Sequence, residues 1–142
     1  MLDAYPLVAL IGDEPAAGEV AELLSLGDAR IPVVNLCEAI DVCRRTHDLG
    51  ERELRDVMEP LLLTGRLTAV PSGAPEAWRA ADLRARYYDR KARALSLADC
   101  LLLAHAQTGG DEIASADPAV AEVAREEGLG LVPLPGSTGK RP

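Results

Sequence analysis

The sequence predicts an α/β fold with a mostly parallel sheet. Short β-like runs alternate with longer stretches whose apolar residues follow a helical spacing, and this alternation is typical of such folds. The chain has 142 residues, which suits one domain with a real core and is too short for two. Hydrophobic residues make up 48% and charged residues 27%, as in globular chains. We assign residues 1–134 to the domain and 135–142 to a loose tail.

The N-terminal part is predicted to hold a strand, two helices and a second strand. Met1–Asp3 is the short first strand, and helical sequence follows it directly. Glu14-Pro15 begins the next helix, because proline fits the first helical position, and Gly27 ends it. Ala29–Val34 is predicted as the second strand.

The middle of the chain is predicted to hold two helices and a third strand. Asn35 is expected to cap a helix that runs to Thr46. The apolar spacing in Gly50–Leu63 predicts another helix, which Pro60 should kink or split. Leu67–Val70 is predicted as the third strand.

The C-terminal half continues the alternation. A helix is predicted from Pro75 to Tyr88, and a basic loop follows it. Leu95–Thr108 is the most apolar helix of the chain and is therefore expected to be buried. The remaining elements are a strand at Glu112–Ser115, a helix at Pro118–Glu127 and a last strand at Gly130–Leu134.

Composition and charge narrow the function classes. No run approaches the ~20 apolar residues that a membrane span needs, and no basic segment precedes an apolar stretch, so we expect a cytoplasmic protein. Cys37, Cys43 and Cys100 lack metal-binding spacing and are expected to pack as small apolar side chains. The formal net charge of −8 argues against broad electrostatic binding of nucleic acid.

Four carboxylates stand at the beginnings of helices. Asp3 ends the first strand, Glu38 lies in the first turn after the second, Asp99 lies in the first turn of the apolar helix, and Asp117 follows the fourth strand. Each one taken alone is explained by helix capping. Asp99 fits that explanation least, because an ionised carboxylate in an apolar run is costly unless it is paired or binds a cation.

The predicted sheet would bring these acids together. The carboxyl ends of parallel strands share one edge, which is where ligands bind in such folds. Two carboxylates about 5 Å apart repel by about 3 kcal/mol at an effective dielectric of about 20, and a divalent cation would offset that repulsion. An acid-rich set suits Mg²⁺ or Mn²⁺. His47 and His105 lie on other helical faces than Glu38 and Asp99, so we do not expect them in the site.

At these residues the sequence resembles the PIN-domain family and, within it, the VapC-like toxins. The order and spacing of the similar segments cover nearly the whole chain. One position departs from the family pattern: two residues after the first aspartate the family usually has a small hydroxyl or amide, and this chain has Tyr5, which is expected to support a metal less well. The similar segments are Met1–Ala4, Val34–Ala39, Leu95–Ala104 and Ile113–Asp117.

The resemblance implies a three-layer α/β/α fold with a five-stranded parallel sheet in the order 3-2-1-4-5. It also implies a toxin-like endoribonuclease of a type II toxin–antitoxin system, which would use Mg²⁺ or Mn²⁺ to hydrolyse RNA phosphodiesters. A homodimer and inhibition by a cognate VapB-like antitoxin are further implications. The residues that would bind metal and act in catalysis are Asp3, Glu38, Asp99 and Asp117.

Two surfaces are candidates for binding partners. A basic, tyrosine-containing segment could hold single-stranded RNA by backbone contacts and stacking, or could be an ordinary solvated helix face. Its residues are Arg84, Arg86, Tyr87, Arg90, Lys91 and Arg93. The helices Pro15–Leu26 and Glu51–Leu63 each carry an apolar stripe, which either faces the core or forms an antitoxin groove. That groove would be lined by Leu23, Leu54, Val57 and Leu61.

Other functions fit the sequence less well. A phosphorylation receiver would need a lysine after its last strand, and a dinucleotide-binding domain would need a glycine fingerprint after its first, and neither is present. The serious alternative is a PIN-like module that binds RNA or an antitoxin without cleaving RNA.

Overall fold

A computed structural model describes all 142 residues of the chain. Helices and short parallel strands alternate along it, so the predicted α/β class is confirmed. The elements are α1 (Ala4–Ile11), α2 (Ala17–Ser25), β1 (Ala29–Pro32), α3 (Val33–Thr46), α4 (Glu51–Leu63), β2 (Leu67–Val70), α5 (Ala74–Tyr87), α6 (Leu97–Gly109), β3 (Ile113–Ser115), α7 (Pro118–Glu126) and β4 (Leu131–Pro133).

The strands form two parallel pairs, β1 with β2 and β3 with β4. The N-terminal residues lie between these pairs. Leu2 forms a parallel bridge with Ala114 of β3, and its N–H donates to the carbonyl of Arg30 in β1 at 2.6 Å. The strand predicted at Met1–Asp3 is therefore a single bridge, because the chain turns into α1 immediately after Asp3.

The hydrophobic core has two parts. One surrounds α1 and takes apolar residues from α2, α3 and α4, and the other surrounds α6. Leu102, Leu103 and Ala104 of α6 are fully buried, which confirms the prediction that this helix lies inside the domain. Burial on nearly every side explains why its sequence is almost continuously apolar.

Two local predictions were wrong. β1 ends at Pro32 and α3 begins at the next residue, so Asn35 lies inside the helix and does not cap it. Glu38 consequently lies in the second turn of α3 and not in the first. α4 runs without a break through Pro60, which stands in its last turn, so the helix is not split there, and the Pro60 carbonyl accepts from the Thr64 hydroxyl at 2.7 Å.

The segment after β4 folds back on the domain. Leu134 and Pro135 are buried, and the Arg141 guanidinium lies 2.7 Å from the Glu19 carboxylate. The tail that the sequence led us to expect as loose makes these contacts. None of the helices has both the length and the apolar character needed to cross a membrane.

Packing around α6 gives a stability prediction. Leu102 is 0% exposed, so Leu102→Ala should lower the free energy of unfolding by about 2–5 kcal/mol through lost burial and the cavity left behind. Leu97→Ala is the matched control on the same helix, because this leucine is 60% exposed and its truncation should change stability little. Urea unfolding of both variants measures the difference, and equal stabilities would contradict the assignment of the core.

Candidate functional site

Four carboxylates line one cavity of about 380 Å³. They stand near the N-terminal ends of four different helices, and they are the four acids that the sequence singled out. Asp3 precedes α1, Glu38 lies in α3, Asp99 in α6 and Asp117 precedes α7. At Asp3, Asp99 and Asp117 the positive end of the helix dipole favours negative charge by about 0.3–1 kcal/mol, whereas Glu38, in the second turn of α3, gains little from it.

Asp3 is the most buried of the four, at 5% exposure. Its Oδ1 accepts from the Ala4 N–H at 2.7 Å and from the Asn35 amide at 3.3 Å, and its Oδ2 accepts from the Ser115 hydroxyl at 2.7 Å. The pKa of Asp3 is raised from 3.8 to about 6, first by burial and then by the charges of Asp99 and Asp117, while the hydrogen bonds from Ser115 and Ala4 oppose the shift. A fully ionised Asp3 is thus costly without a compensating positive charge.

Asp99 and Asp117 cap their helices as the sequence predicts. Asp99 Oδ2 accepts from the Ser96 N–H at 2.6 Å, and Asp117 Oδ1 accepts from the Ala119 N–H at 2.6 Å. Each cap uses one carboxylate oxygen and leaves the other without a protein donor. Burial raises the pKa of Asp99, and the charge of Asp117 adds to that effect. Capping and participation in the site are therefore compatible.

Glu38 has no hydrogen-bond or ion-pair partner in the protein, although it is partly buried. Its pKa is raised first by burial and then by the charges of Asp99 and Asp41. This carboxylate is the one whose oxygens are both available to a ligand.

The donor chemistry of the cavity fits a hard divalent cation. Its lining holds four carboxylates and no histidine or cysteine, which is the ligand type of Mg²⁺ and Mn²⁺. No three acidic, histidine or cysteine side chains are close enough, as placed, to share one ion. Rotation of side chains such as Glu38 would be needed to bring their oxygens together around a cation.

Residues around the acids were only partly found from the sequence. Asn35 was expected as a helix cap, yet it is fully buried, donates to Asp3 and leaves its own Oδ1 without a partner. Ser115 was predicted only as the last residue of a strand, and its hydroxyl donates to Asp3. Arg84 of α5 lies near enough for its charge to lower the pKa of Asp99, although the sequence near Asp99 offered no such arginine.

Most of the basic segment is engaged inside the protein. Arg86 pairs with Asp82 and Glu127, and Arg93 pairs with Glu122 and Glu126. The Tyr87 hydroxyl donates to Glu127, while the Arg84 guanidinium lies 4.2 Å from the centre of the Tyr88 ring and donates to the Leu95 carbonyl. Arg90 and Lys91 are exposed, and their side chains have no partner. They are the cations of this segment that remain free for a ligand.

Burial of Asp3 predicts a specific pH dependence of stability in metal-free buffer. The folded-state pKa of about 6 exceeds the ordinary 3.8, so the folded protein binds a proton at Asp3 more tightly than the unfolded chain does. The contribution of this proton to the free energy of unfolding is complete below pH 3.8 and is lost as the pH rises through about 6. Asp3→Asn keeps an oxygen for the Ala4 N–H but carries no charge. The variant should therefore be more stable than the wild type above pH 6, by at most about 3 kcal/mol.

Urea unfolding of both proteins from pH 4 to pH 8 with a chelator measures this difference. Asp56→Asn, which changes an exposed acid on α4 outside the cavity with no hydrogen-bond or ion-pair partner, is the control. A stability gap between wild type and Asp3→Asn that is independent of pH would contradict the raised pKa.

Comparison with known proteins places this site in a family. The PIN domain profile matches residues 1–126, which is most of the chain and includes all four carboxylates. No curated protein matches the sequence. PIN domains are nuclease-type domains and are generally metal-dependent. The match over most of the chain, together with the acid-lined cavity, shows that this protein belongs to the PIN domain family.

Proposed function

We propose that this protein is a metal-dependent endoribonuclease that acts as a VapC-like toxin. The observation that carries the proposal is the single cavity lined by Asp3, Glu38, Asp99 and Asp117. Burial and then the charges of neighbouring carboxylates raise the pKa values of Asp3, Glu38 and Asp99, so the ionised site favours a bound cation. Membership in a family of nuclease-type domains supports the reaction class.

The four carboxylates would hold Mg²⁺ or Mn²⁺ directly or through water. When bound, such an ion lowers the pKa of water and neutralises charge that develops on a phosphodiester. Asp99 and Asp117 are held in place by their capping bonds, and Asp3 by Ser115 and Asn35. Positions fixed before the substrate arrives require no reorganisation during the reaction.

We assign Glu38 to the attacking water. Hydrolysis adds water across a P–O bond, so a group in the site must orient that water and accept its proton. Glu38 is the carboxylate that no protein donor occupies, and burial raises its pKa above the ordinary value. The leaving oxygen takes up a proton as the P–O bond breaks.

The proposed sheet is the five-stranded parallel sheet in the order 3-2-1-4-5 that the resemblance implies, between two layers of helices. In this numbering the N-terminal residues are strand 1, β1 and β2 are strands 2 and 3, and β3 and β4 are strands 4 and 5. Two observations support this arrangement: Leu2 bonds to Arg30 of β1, and the Asp3 N–H donates to the Ala114 carbonyl of β3 at 3.1 Å.

RNA would approach an acidic protein through local positive charge. Bound divalent ions would offset part of the −8 charge at the site itself. Arg90 and Lys91 supply free cations at the basic segment, and the charge of Arg84 in the same segment reaches Asp99. Arg90 and Lys91 would contact the RNA backbone, whereas Arg84, Arg86, Tyr87 and Arg93 would shape the segment through their internal contacts.

An antitoxin would bind in the groove between α3 and α4. This groove has a volume of about 440 Å³, and its rim carries both charge signs through Arg44, Arg55, Glu51 and Glu59. An amphipathic helix fits such a surface, with its apolar face inward. Of the four residues expected to line a groove, only Leu54 does so. Leu23 and Leu61 pack against the core, and Val57 is exposed outside the groove. The apolar lining is Leu36, Ile40, Leu54, Met58 and Leu62.

A second candidate function is RNA or antitoxin binding without cleavage. Tyr5 favours it, because this ring lines the cavity where a small polar residue would assist a metal. The retained carboxylates favour cleavage. Activity of the purified protein separates the two functions. A homodimer is expected for either.

Asp99→Asn tests the nuclease proposal. The substitution keeps an oxygen for the Ser96 N–H and so preserves the helix cap, but it removes one negative charge from the cavity. Cleavage of single-stranded RNA in Mg²⁺ or Mn²⁺ should fall by about a hundredfold or more. Millimolar Mg²⁺ or Mn²⁺ should raise the melting temperature of the wild type more than that of the variant.

The matched control is Asp56→Asn, which changes an exposed acid on α4 outside both the cavity and the basic segment and should cleave as the wild type does. RNA cleavage that is unchanged in Asp99→Asn, or that persists in a chelator, would refute the proposed site.

The antitoxin groove has its own test. Ile40→Glu places a charge in the apolar lining, so the protein should no longer co-purify with the product of a neighbouring small gene. Leu63→Glu is the control, because Leu63 is 85% exposed and lies at the end of α4 outside the groove. Loss of the complex in both variants, or in neither, would contradict this docking surface. RNA cleavage by Ile40→Glu alone reports whether the site itself is intact.

A further inference from the structure

The acid-lined cavity has a second, apolar wall formed by Tyr5, Val8 and Val42. The wall belongs to α1, which Asp3 precedes, and to α3, which carries Glu38. Tyr5 and Val8 are three residues apart on α1, and Val42 is four residues after Glu38 on α3, so each pair shares a helical face. Because α1 packs against α3, the three side chains form one surface beside the carboxylates.

The Tyr5 ring is held at its outer edge. Its hydroxyl donates to Glu14 Oε2 at 2.8 Å, and Glu14 Oε1 lies 3.7 Å from His47 Nε2. Glu14 belongs to the connection between α1 and α2, and His47 ends α3, so the tyrosine is tied to both sides of the wall. A side chain fixed in this way loses little conformational entropy when a ligand packs against it.

The two walls favour different parts of one ligand. The carboxylate wall, with a cation, suits a phosphodiester, but the apolar wall offers no partner for a charged group. A planar, uncharged, aromatic group suits it, because base–aromatic stacking needs only a ring face and an apolar surround. Gly136 and Ser137 of the C-terminal segment line the cavity as well and add no bulky side chain to it.

We propose that Tyr5, Val8 and Val42 form a subsite for a nucleobase of single-stranded RNA, next to the phosphodiester held at the carboxylates. The inference rests on the proposed function and deepens it. The base of a nucleotide adjoining the cleaved bond packs on the tyrosine ring, so this chain places an aromatic stacking surface beside its carboxylates. Stacking carries little hydrogen-bond information, and the subsite therefore selects unpaired nucleotides over duplex RNA.

Binding of RNA to uncleaving protein tests the subsite. All proteins carry Asp99→Asn and are measured with Mg²⁺. A labelled mixed-sequence RNA single strand of roughly ten nucleotides is titrated with the protein that keeps Tyr5, with Tyr5→Phe and with Tyr5→Leu, and the dissociation constants are compared. Stacking predicts that Tyr5→Phe, which keeps the ring, binds within about threefold of Tyr5, and that Tyr5→Leu binds about tenfold or more weakly. A purely structural role of the Tyr5–Glu14 bond predicts equal losses in both, since both lack the hydroxyl.

A second measurement does not depend on the leucine variant. Trp78 is the only tryptophan and lies on α5 outside the cavity, so Tyr5→Trp combined with Trp78→Phe leaves one tryptophan, in the subsite. RNA should quench its fluorescence, and ribose 5-phosphate, which has no base, should not. In the protein with native Tyr5, the fluorescence of Trp78 should not change.

Tight RNA binding by Tyr5→Leu, equal losses in Tyr5→Leu and Tyr5→Phe, or absence of quenching would each overturn the subsite. These outcomes are independent of the nuclease proposal. Cleavage by protein with native Asp99, alongside unchanged binding in Tyr5→Leu, would refute the subsite alone. Ring-dependent binding without metal-dependent cleavage would refute the nuclease and retain the subsite.

Discussion

The buried Asp3 carboxylate is the point at which the parts of this domain meet. It receives hydrogen bonds from α1, from Asn35 of α3 and from Ser115 of β3, and its residue connects the N-terminal bridge to the first helix. Those bonds offset part of the desolvation that raises its pKa to about 6. The hydrogen bonds do not fully compensate the ionised carboxylate, and the metal ion that we propose would supply the missing positive charge.

The same carboxylates serve stability and the site. Asp99 and Asp117 satisfy backbone N–H groups that would otherwise lack partners at the starts of α6 and α7. A capping aspartate needs one oxygen for that purpose, so its second oxygen can face the cavity. Helix ends therefore fix the acids in place without a dedicated loop, and their dipoles reduce the repulsion among them.

Charge is organised locally in this acidic protein. Arg86 of α5 and Arg93 of the following connection form ion pairs within the protein, so the net positive charge that the basic segment offers to a ligand is smaller than its composition indicates. Exposed pairs of this kind contribute little stability, typically up to about 1 kcal/mol, but they orient the segment. Arg84 extends its positive charge towards Asp99, which joins the basic segment to the acid-lined cavity electrostatically.

The sequence by itself determined the element order, the buried α6 and the four acids, because hydrophobic periodicity and capping patterns are local and survive without knowledge of contacts. It misplaced Asn35, because a polar residue near a helix start looks like a cap, and only packing against α1 shows that it bonds Asp3. It could not supply Arg84 as a neighbour of Asp99, since the two come from different helices. Tertiary structure also decided how Tyr5 is held: its hydroxyl donates to Glu14, nine residues away, while its side chain lines the cavity. Contacts between distant segments depend on how elements pack, and local sequence preferences do not encode that packing.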